Sequence, residues 1–234
     1  MRMLNTLMRG FAALAIFIPL AACTVTYQFT PIEATVVDAE TGAPIEGAVV
    51  TANWELVKGS FDGERYFGQL EVKETVTDKN GRFYFEGFSK EDSSGAELRQ
   101  SDPQILIFKA GYEFQPFVNP FERYFHDYPG GSWVKKRERT AAVNGKTVKL
   151  LSMQSPNANM LRRSTAYFGL NTRLEKLIED CHWKNIANAI REMDREDRVL
   201  REKNIGTSLI ARHHLESYEK KCGSIDVVFK VDKK

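Results

Sequence analysis

Histidine and cysteine are scarce in this chain, four and three among 234 residues, and that scarcity narrows its chemistry before any motif is read. The histidines stand at 126, 182, 213 and 214. His213 and Glu216 have the spacing of two zinc ligands, but a catalytic zinc site built on them needs a third, distant histidine. Only 18 residues follow Glu216, and none is histidine. The set Cys181, His182, His213, His214 and Cys222 is irregularly spaced for a structural zinc site. A nucleophile elbow, a phosphate-cradling glycine loop and a His-Glu-x-x-His helix are absent as well. The expectation is a protein without a catalytic site, a metal or a cofactor. An excess of charge is also missing, 33 basic residues against 31 acidic ones, and with it the field that nucleic-acid binding requires. Beyond the first 22 residues no apolar run approaches the length that spans a bilayer.

What is present begins with Arg2 and Arg9, the apolar stretch Phe11 to Leu20, and then Leu20-Ala21-Ala22-Cys23. A positive start, a short apolar run and small residues make up a secretory signal that is removed. The four residues resemble the lipobox of bacterial lipoproteins. The resemblance implies that residues 1–22 are cut away, that the Cys23 thiol carries a diacylglycerol, and that the new amino terminus takes a further acyl chain such as palmitate. Each buried methylene contributes about 0.8 kcal/mol, so two or three chains hold stably where one is marginal. Thr24 stands where an aspartate would imply retention at the inner membrane, so in an organism with an outer membrane the resemblance favours a location there, facing the periplasm, over the inner membrane. Removing the signal takes Arg2 and Arg9 with it and leaves 31 charges of each sign. Residues 23–30 are expected to be a lipidated tether reaching about 20–25 Å at ~3.3 Å per residue.

With Cys23 acylated, Cys181 and Cys222 remain as an even pair in an exported protein. A disulfide between them would close a loop of about 40 residues, for which chain entropy suggests roughly 3–4 kcal/mol. Two separate buried thiols are the alternative.

From Pro31 to about residue 153 the pattern is one of short strands and turns. Ile32 to Val37 is rich in β-branched residues and is followed by a Gly- and Pro-punctuated turn ending at Pro44. Ala48 to Leu56 is a continuous apolar run. Leu70, Val72 and Val76 occupy one face of the next strand, and Asp78-Lys79-Asn80-Gly81 has the form of a hairpin turn. Phe83 and Phe85 alternate with Arg82, Tyr84 and Glu86, Ile105 to Phe108 is again continuously apolar, and Thr147 to Leu151 reads as the closing strand. Many strands without interleaved helices argue for an antiparallel sandwich.

Val36-Val37-Asp38, Thr41 to Val50, Thr77 to Phe83 and Phe108-Lys109-Ala110-Gly111-Tyr112 resemble the carboxypeptidase regulatory-like domain. That resemblance implies a transthyretin-like sandwich of seven strands over residues 31–153, and no catalytic residues. Hydroxyisourate hydrolases share the fold, but their terminal Tyr-Arg-Gly-Ser is replaced here by Val231-Asp232-Lys233-Lys234.

Tyr112, Phe114, Phe117, Phe121, Tyr124, Phe125, Tyr128 and Trp133 concentrate eight of the 26 aromatics into 22 positions. Either they pin a long loop onto the domain, or Tyr112, Phe121, Tyr124, Tyr128 and Trp133 form a face that stacks on a glycan, peptidoglycan or a partner. Asn119-Pro120-Phe121-Glu122 reads as a helix start, and Lys135 to Arg139 as a solvated basic edge.

Beyond Ser155-Pro156-Asn157 the period changes to about 3.6. Leu170, Leu174, Leu177 and Ile178 mark one helix, Ile186 to Met193 a second, and Leu209 to Cys222 a third that Gly223 ends. Arg191 to Lys203 reads as a solvated helix face, and Ile225 to Val231 as a terminal strand. The expectation is thus a mainly β protein whose residues 154–234 form a disulfide-linked helical subdomain. Its expected role is a non-catalytic binding or structural module of the cell envelope, held to the membrane by lipid and engaging an envelope protein; the alternative is an accessory to an envelope hydrolase, or a cryptic hydrolase itself.

Overall fold

The computed structural model of the protein describes residues 24–61, 63–119, 140–154, 160–206 and 209–229. Cys23, the signal, the aromatics Phe121, Tyr124, Tyr128 and Trp133, and the basic run at 135–139 lie outside the described residues.

Strand β1 (Val25–Phe29) pairs with β6 (Phe88–Asp92). The next strand, β2 (Ile32–Asp38), lies between β5 (Arg82–Phe85) and β10 (Thr147–Leu150). A larger sheet has the order β4 (Gly63–Val76), β3 (Val49–Ser60), β8 (Gln104–Phe108) and β9 (Gln115–Phe117), with β7 (Glu97–Leu98) also on β3. The inner faces of the sheets enclose a core that includes Val36, Val50, Trp54, Phe83, Phe85, Ile107 and Leu150.

The larger sheet is buried on its other face as well. Val49, Val72, Leu106 and Phe108 point away from the sandwich core and pack against helices. This explains why Ala48 to Leu56 and Ile105 to Phe108 read as unbroken apolar runs: a strand covered on both faces has no wet face to mark with polar residues. The architecture is therefore three layers, two of sheet and one of helix.

The helical layer begins with α1 (Met160–Glu179), a 3-10 turn at His182–Ile186 and α2 (Ala187–Glu202). Leu170, Leu174, Ile178, Trp183, Ile190 and Met193 form its interior. The expected third helix is broken into α3 (Arg212–Leu215), a 3-10 turn at Glu216–Tyr218 and α4 (Glu219–Cys222), and Gly223 ends it at a φ of 88°. Cys181 is separated by one residue from the end of α1 and is bonded to Cys222 at the end of α4, with Cα atoms 5.0 Å apart. The bridge joins the first helix to the last turns across 41 positions. Replacing Cys222 with serine is expected to lower the unfolding free energy by about 2–4 kcal/mol in urea, with no effect once the wild type is reduced.

Five expectations are corrected. Residues Val25–Phe29, assigned to a free tether, form β1, because Phe29 inserts between Trp54 and Phe88 with ring centroids at 5.4 and 4.5 Å. Ten strands are described in place of seven, and β10 runs parallel to β2. The turn at Asp78–Gly81 does not close a hairpin, since β4 pairs with β3 and β5 with β2; it carries the chain from one sheet to the other. The segment read as a terminal strand contains α5 (Asp226–Phe229). Ile225 and Val228 are buried at helical spacing while Val227 is exposed, a distinction that so short an apolar run hides. Finally, the charged stretch of α2 is not wholly solvated: Glu192, Glu196 and Asp197 are buried.

Candidate functional site

The three acidic side chains of α2 organise the region where the helical layer meets the sheet. Lys109, Ala110 and Gly111 follow β8, so their amides have left the ladder and need acceptors. Glu192 accepts from the Ala110 N–H at 3.0 Å, and Glu196 from the Gly111 N–H at 2.9 Å. Glu196 also accepts from the Tyr167 hydroxyl at 2.5 Å, and Lys109 lies 3.6 Å from Glu192. Asp197 is paired with Arg201 at 2.6 Å. These carboxylates share one helix face with Ala189, Met193 and Leu200, all buried. Acidic residues at the positions of an apolar stripe were the available sequence signal.

A fourth carboxylate, again missed in the sequence, holds the start of α2. Ile186 at its N-cap has no capping side chain, and Glu74 of β4 supplies the acceptor instead, 2.8 Å from the Asn188 N–H and 2.7 Å from the Ala189 N–H. Burial pushes the Glu74 carboxyl above its ordinary range, against the pull of those two amides.

Beside these contacts a cleft of about 490 Å³ opens between the sandwich and α2, with Gly47, Val49 and Val76 on one wall, Arg191, Arg195 and Arg198 on the other, and Phe229 at the end. Arg191 donates to the Val228 carbonyl and to Asn188. Arg195 pairs with Glu192 and Arg198 with Asp194, each at 3.3 Å. Both outer arginine side chains remain more than half exposed, at 54% and 68%, so they can exchange a helix carboxylate for one on a ligand. Lys109, Glu192 and Asp194 line the cleft as well, so its walls carry charge of both signs.

Tyr112, the only described member of the five candidate binding aromatics, packs against the sandwich core. Its phenol lies within electrostatic reach of Asp38, whose carboxylate accepts from the Glu40 and Thr41 amides. The Thr41 amide foremost holds Asp38 below the usual carboxylate range, and burial raises the Tyr112 phenol. Asn119 clamps the ends of the 120–139 stretch, donating to the carbonyls of Asp102 at 2.6 Å and Thr140 at 2.7 Å. His213 and His214 stack with centroids 3.9 Å apart; burial and the neighbouring His213 depress His214. Among the described residues no group of three His, Cys, Asp or Glu is placed to hold a metal ion.

No family model matches the chain, and no curated protein matches it. Two solved structures are similar over part of it. A streptococcal ancillary pilin is 14% identical over 54% of this chain and 30% of its own, with a TM-score of 0.25. A 9R-lipoxygenase from Cyanothece PCC8801 is 16% identical over 74% of this chain and 28% of its own, also at 0.25. The chain spans less than a third of either.

Proposed function

We propose that the protein is a bacterial lipoprotein, anchored through Cys23, that serves as a non-catalytic binding or structural module of the cell envelope. Its sandwich is of the transthyretin-like, carboxypeptidase regulatory-like kind. The observation that carries the reading is the lipobox Leu20-Ala21-Ala22-Cys23, followed after a single residue by the first strand, at Val25. A cysteine at that point is a seam between an exported leader and a folded body. The stretches that carry the family resemblance add support, since they meet in one cluster of turns. Val36 donates to the Gly81 carbonyl and accepts from the Ile45 amide, and the Thr77 hydroxyl bridges Ile45 and Ala48. The disulfide suits the oxidising compartment outside the inner membrane.

The cleft lined by Arg191, Arg195 and Arg198 is the surface we assign to an envelope protein partner, with an acidic segment as the complementary chemistry. Its guanidinium groups are presented on a helix fixed at its start by Glu74 and along its length by the Lys109–Gly111 turn.

Metabolic labelling with a palmitate analogue tests the anchor. The wild type is expected to carry the label and to fractionate with membranes, and Cys23→Ser to lose both. Equal labelling of the two would sink the proposal.

A further inference from the structure

Residues 191–203 hold five basic and five acidic side chains, so this part of α2 is neutral as a sequence. The fold separates the two signs. In each ion pair along the helix the acidic member is the one turned inward: the side chains of Glu192, Asp194 and Asp197 are 10%, 16% and 4% exposed, against 54%, 68% and 54% for their partners Arg195, Arg198 and Arg201. Glu196 is buried as well. Main-chain amides hold three of these acids in place, Ala110 on Glu192, Gly111 on Glu196, and Arg212 on Asp194 at 3.1 Å. Of the five acidic side chains only Glu202 is exposed, beside Arg195, Arg198, Arg201 and Lys203. A neutral helix thus shows solvent a cationic face.

The ion pairs use only part of each guanidinium. Arg198 and Arg201 reach their carboxylates through Nε, which leaves their Nη groups without a partner among the described residues. The three arginines stand three residues apart, so their Cα atoms follow one another at about 4.5 Å along the helix axis, and side chains at that spacing are neighbours on the helix surface. Arg195 and Arg198 line the cleft, and Arg201 continues the row past its end. Pairs as exposed as these are weak, so a carboxylate from outside can displace the helix's own. Glu192 and Asp194 would then still have their amide donors, and no bare charge would be left behind.

We propose that Arg195, Arg198 and Arg201 form a docking row for the acidic segment of the protein partner assigned to the cleft, so that the bound segment runs on along α2 beyond the cleft. The proposal rests on that assignment and adds the residues that hold the segment. The attraction lies at the surface, so it weakens with salt and acts mainly on the rate of encounter and on the choice of partner.

A fluorescently labelled octaglutamate peptide is the probe, added to the full acylated chain in a non-ionic detergent and followed by anisotropy. Arg195→Gln with Arg198→Gln is expected to weaken binding about threefold, and addition of Arg201→Gln to bring the loss to about tenfold, with the differences vanishing at high salt. Glutamine at 201 still donates a hydrogen bond to Asp197, and the double variant leaves that pair intact should the triple one fail to fold. Arg65→Gln, Lys79→Gln and Lys149→Gln combined, at exposed positions of the sandwich, remove the same charge and are expected to bind as the wild type does. Equal weakening in the two triple variants would overturn the row. A loss in the double variant to which Arg201→Gln adds nothing would overturn the extension past the cleft and leave the cleft assignment standing. A wild type that ignores the peptide, whether or not it takes inorganic polyphosphate, would overturn row and assignment together while leaving the Cys23 anchor untouched. Row-dependent binding by protein that lacks the acyl mass would support the row and overturn the anchor.

Discussion

Gly81→Ala is expected to lower the unfolding free energy by about 3–4 kcal/mol, a large part of the 5–15 kcal/mol that holds a typical domain together. Gly81 has a φ of 72°, and a Cβ there would sit 2.3 Å from the Val36 carbonyl oxygen. The left-handed backbone alone costs an alanine about 1–2 kcal/mol, and overpacking against atoms that cannot move adds about 1–3 kcal/mol. The neighbour cannot yield, because Val36 is tied on both sides: its N–H donates to the Gly81 carbonyl at 2.7 Å and its oxygen accepts from Ile45 at 3.0 Å. Gly42→Ala is the matched control. It has the same φ of 72° with nothing within 4 Å of the added carbon, so only the backbone term applies, about 1–2 kcal/mol. Urea unfolding of the two variants separates the terms, and equal losses would mean that the close approach to Val36 carries no energy.

The second large effect is expected at Glu196. Its carboxylate is the acceptor for both the Gly111 N–H and the Tyr167 hydroxyl, and the residue is only 5% exposed. Glu196→Ala removes the acceptor from the buried Tyr167 hydroxyl and from the partly buried Gly111 amide, at about 1–3 kcal/mol each, so a loss of about 2–5 kcal/mol is expected in urea unfolding. Tyr167→Phe removes one donor together with its need and is expected to cost only about 1 kcal/mol. In the double variant the two losses should fall short of adding, since the alanine has less left to strand. Strict additivity would show that Tyr167 and Glu196 are not coupled. Hydrogen exchange at the Gly111 amide should quicken in Glu196→Ala and stay slow in Tyr167→Phe, which distinguishes release of the turn from general loosening of the helical layer.

Both effects concern contacts that the sequence signalled only halfway. The Asn80-Gly81 pair announced a turn, and the turn is there, but the local pattern is silent on whether the strands it joins pair with each other. Here they enter opposite sheets, and the approach to Val36 follows from that crossing. Strand positions such as Ile32 to Val37, Phe83 with Phe85, and Ile105 to Phe108 were legible because alternation or continuity of apolar residues reports burial directly. Glu74, Glu192 and Glu196 were not. A carboxylate that caps another element has the same letter as one in water, and its partners are main-chain amides, which carry no sequence signature. The helix–strand ambiguity at Ile225 to Phe229 has a similar origin, since five residues hold too little of either period. β1 was hidden for a different reason: its alternation of Val25, Tyr27 and Phe29 was present, but its place directly after the expected leader suggested a linker.

That strand also decides how the molecule carries load. A pull on the chain ahead of Val25 enters along the axis of β1, where five residue pairs from Val25 opposite Asp92 to Phe29 opposite Phe88 lie side by side. Force in that direction shears the whole ladder at once instead of peeling one bond after another. Only Thr30 and Pro31 separate β1 from β2, which is itself flanked by strands on both sides, so tension passes straight into the centre of the three-stranded sheet. A body tied by a loose tether would swing when tugged. Anchored as proposed, this body would resist extraction as a unit, with its first folded residues acting as the grip.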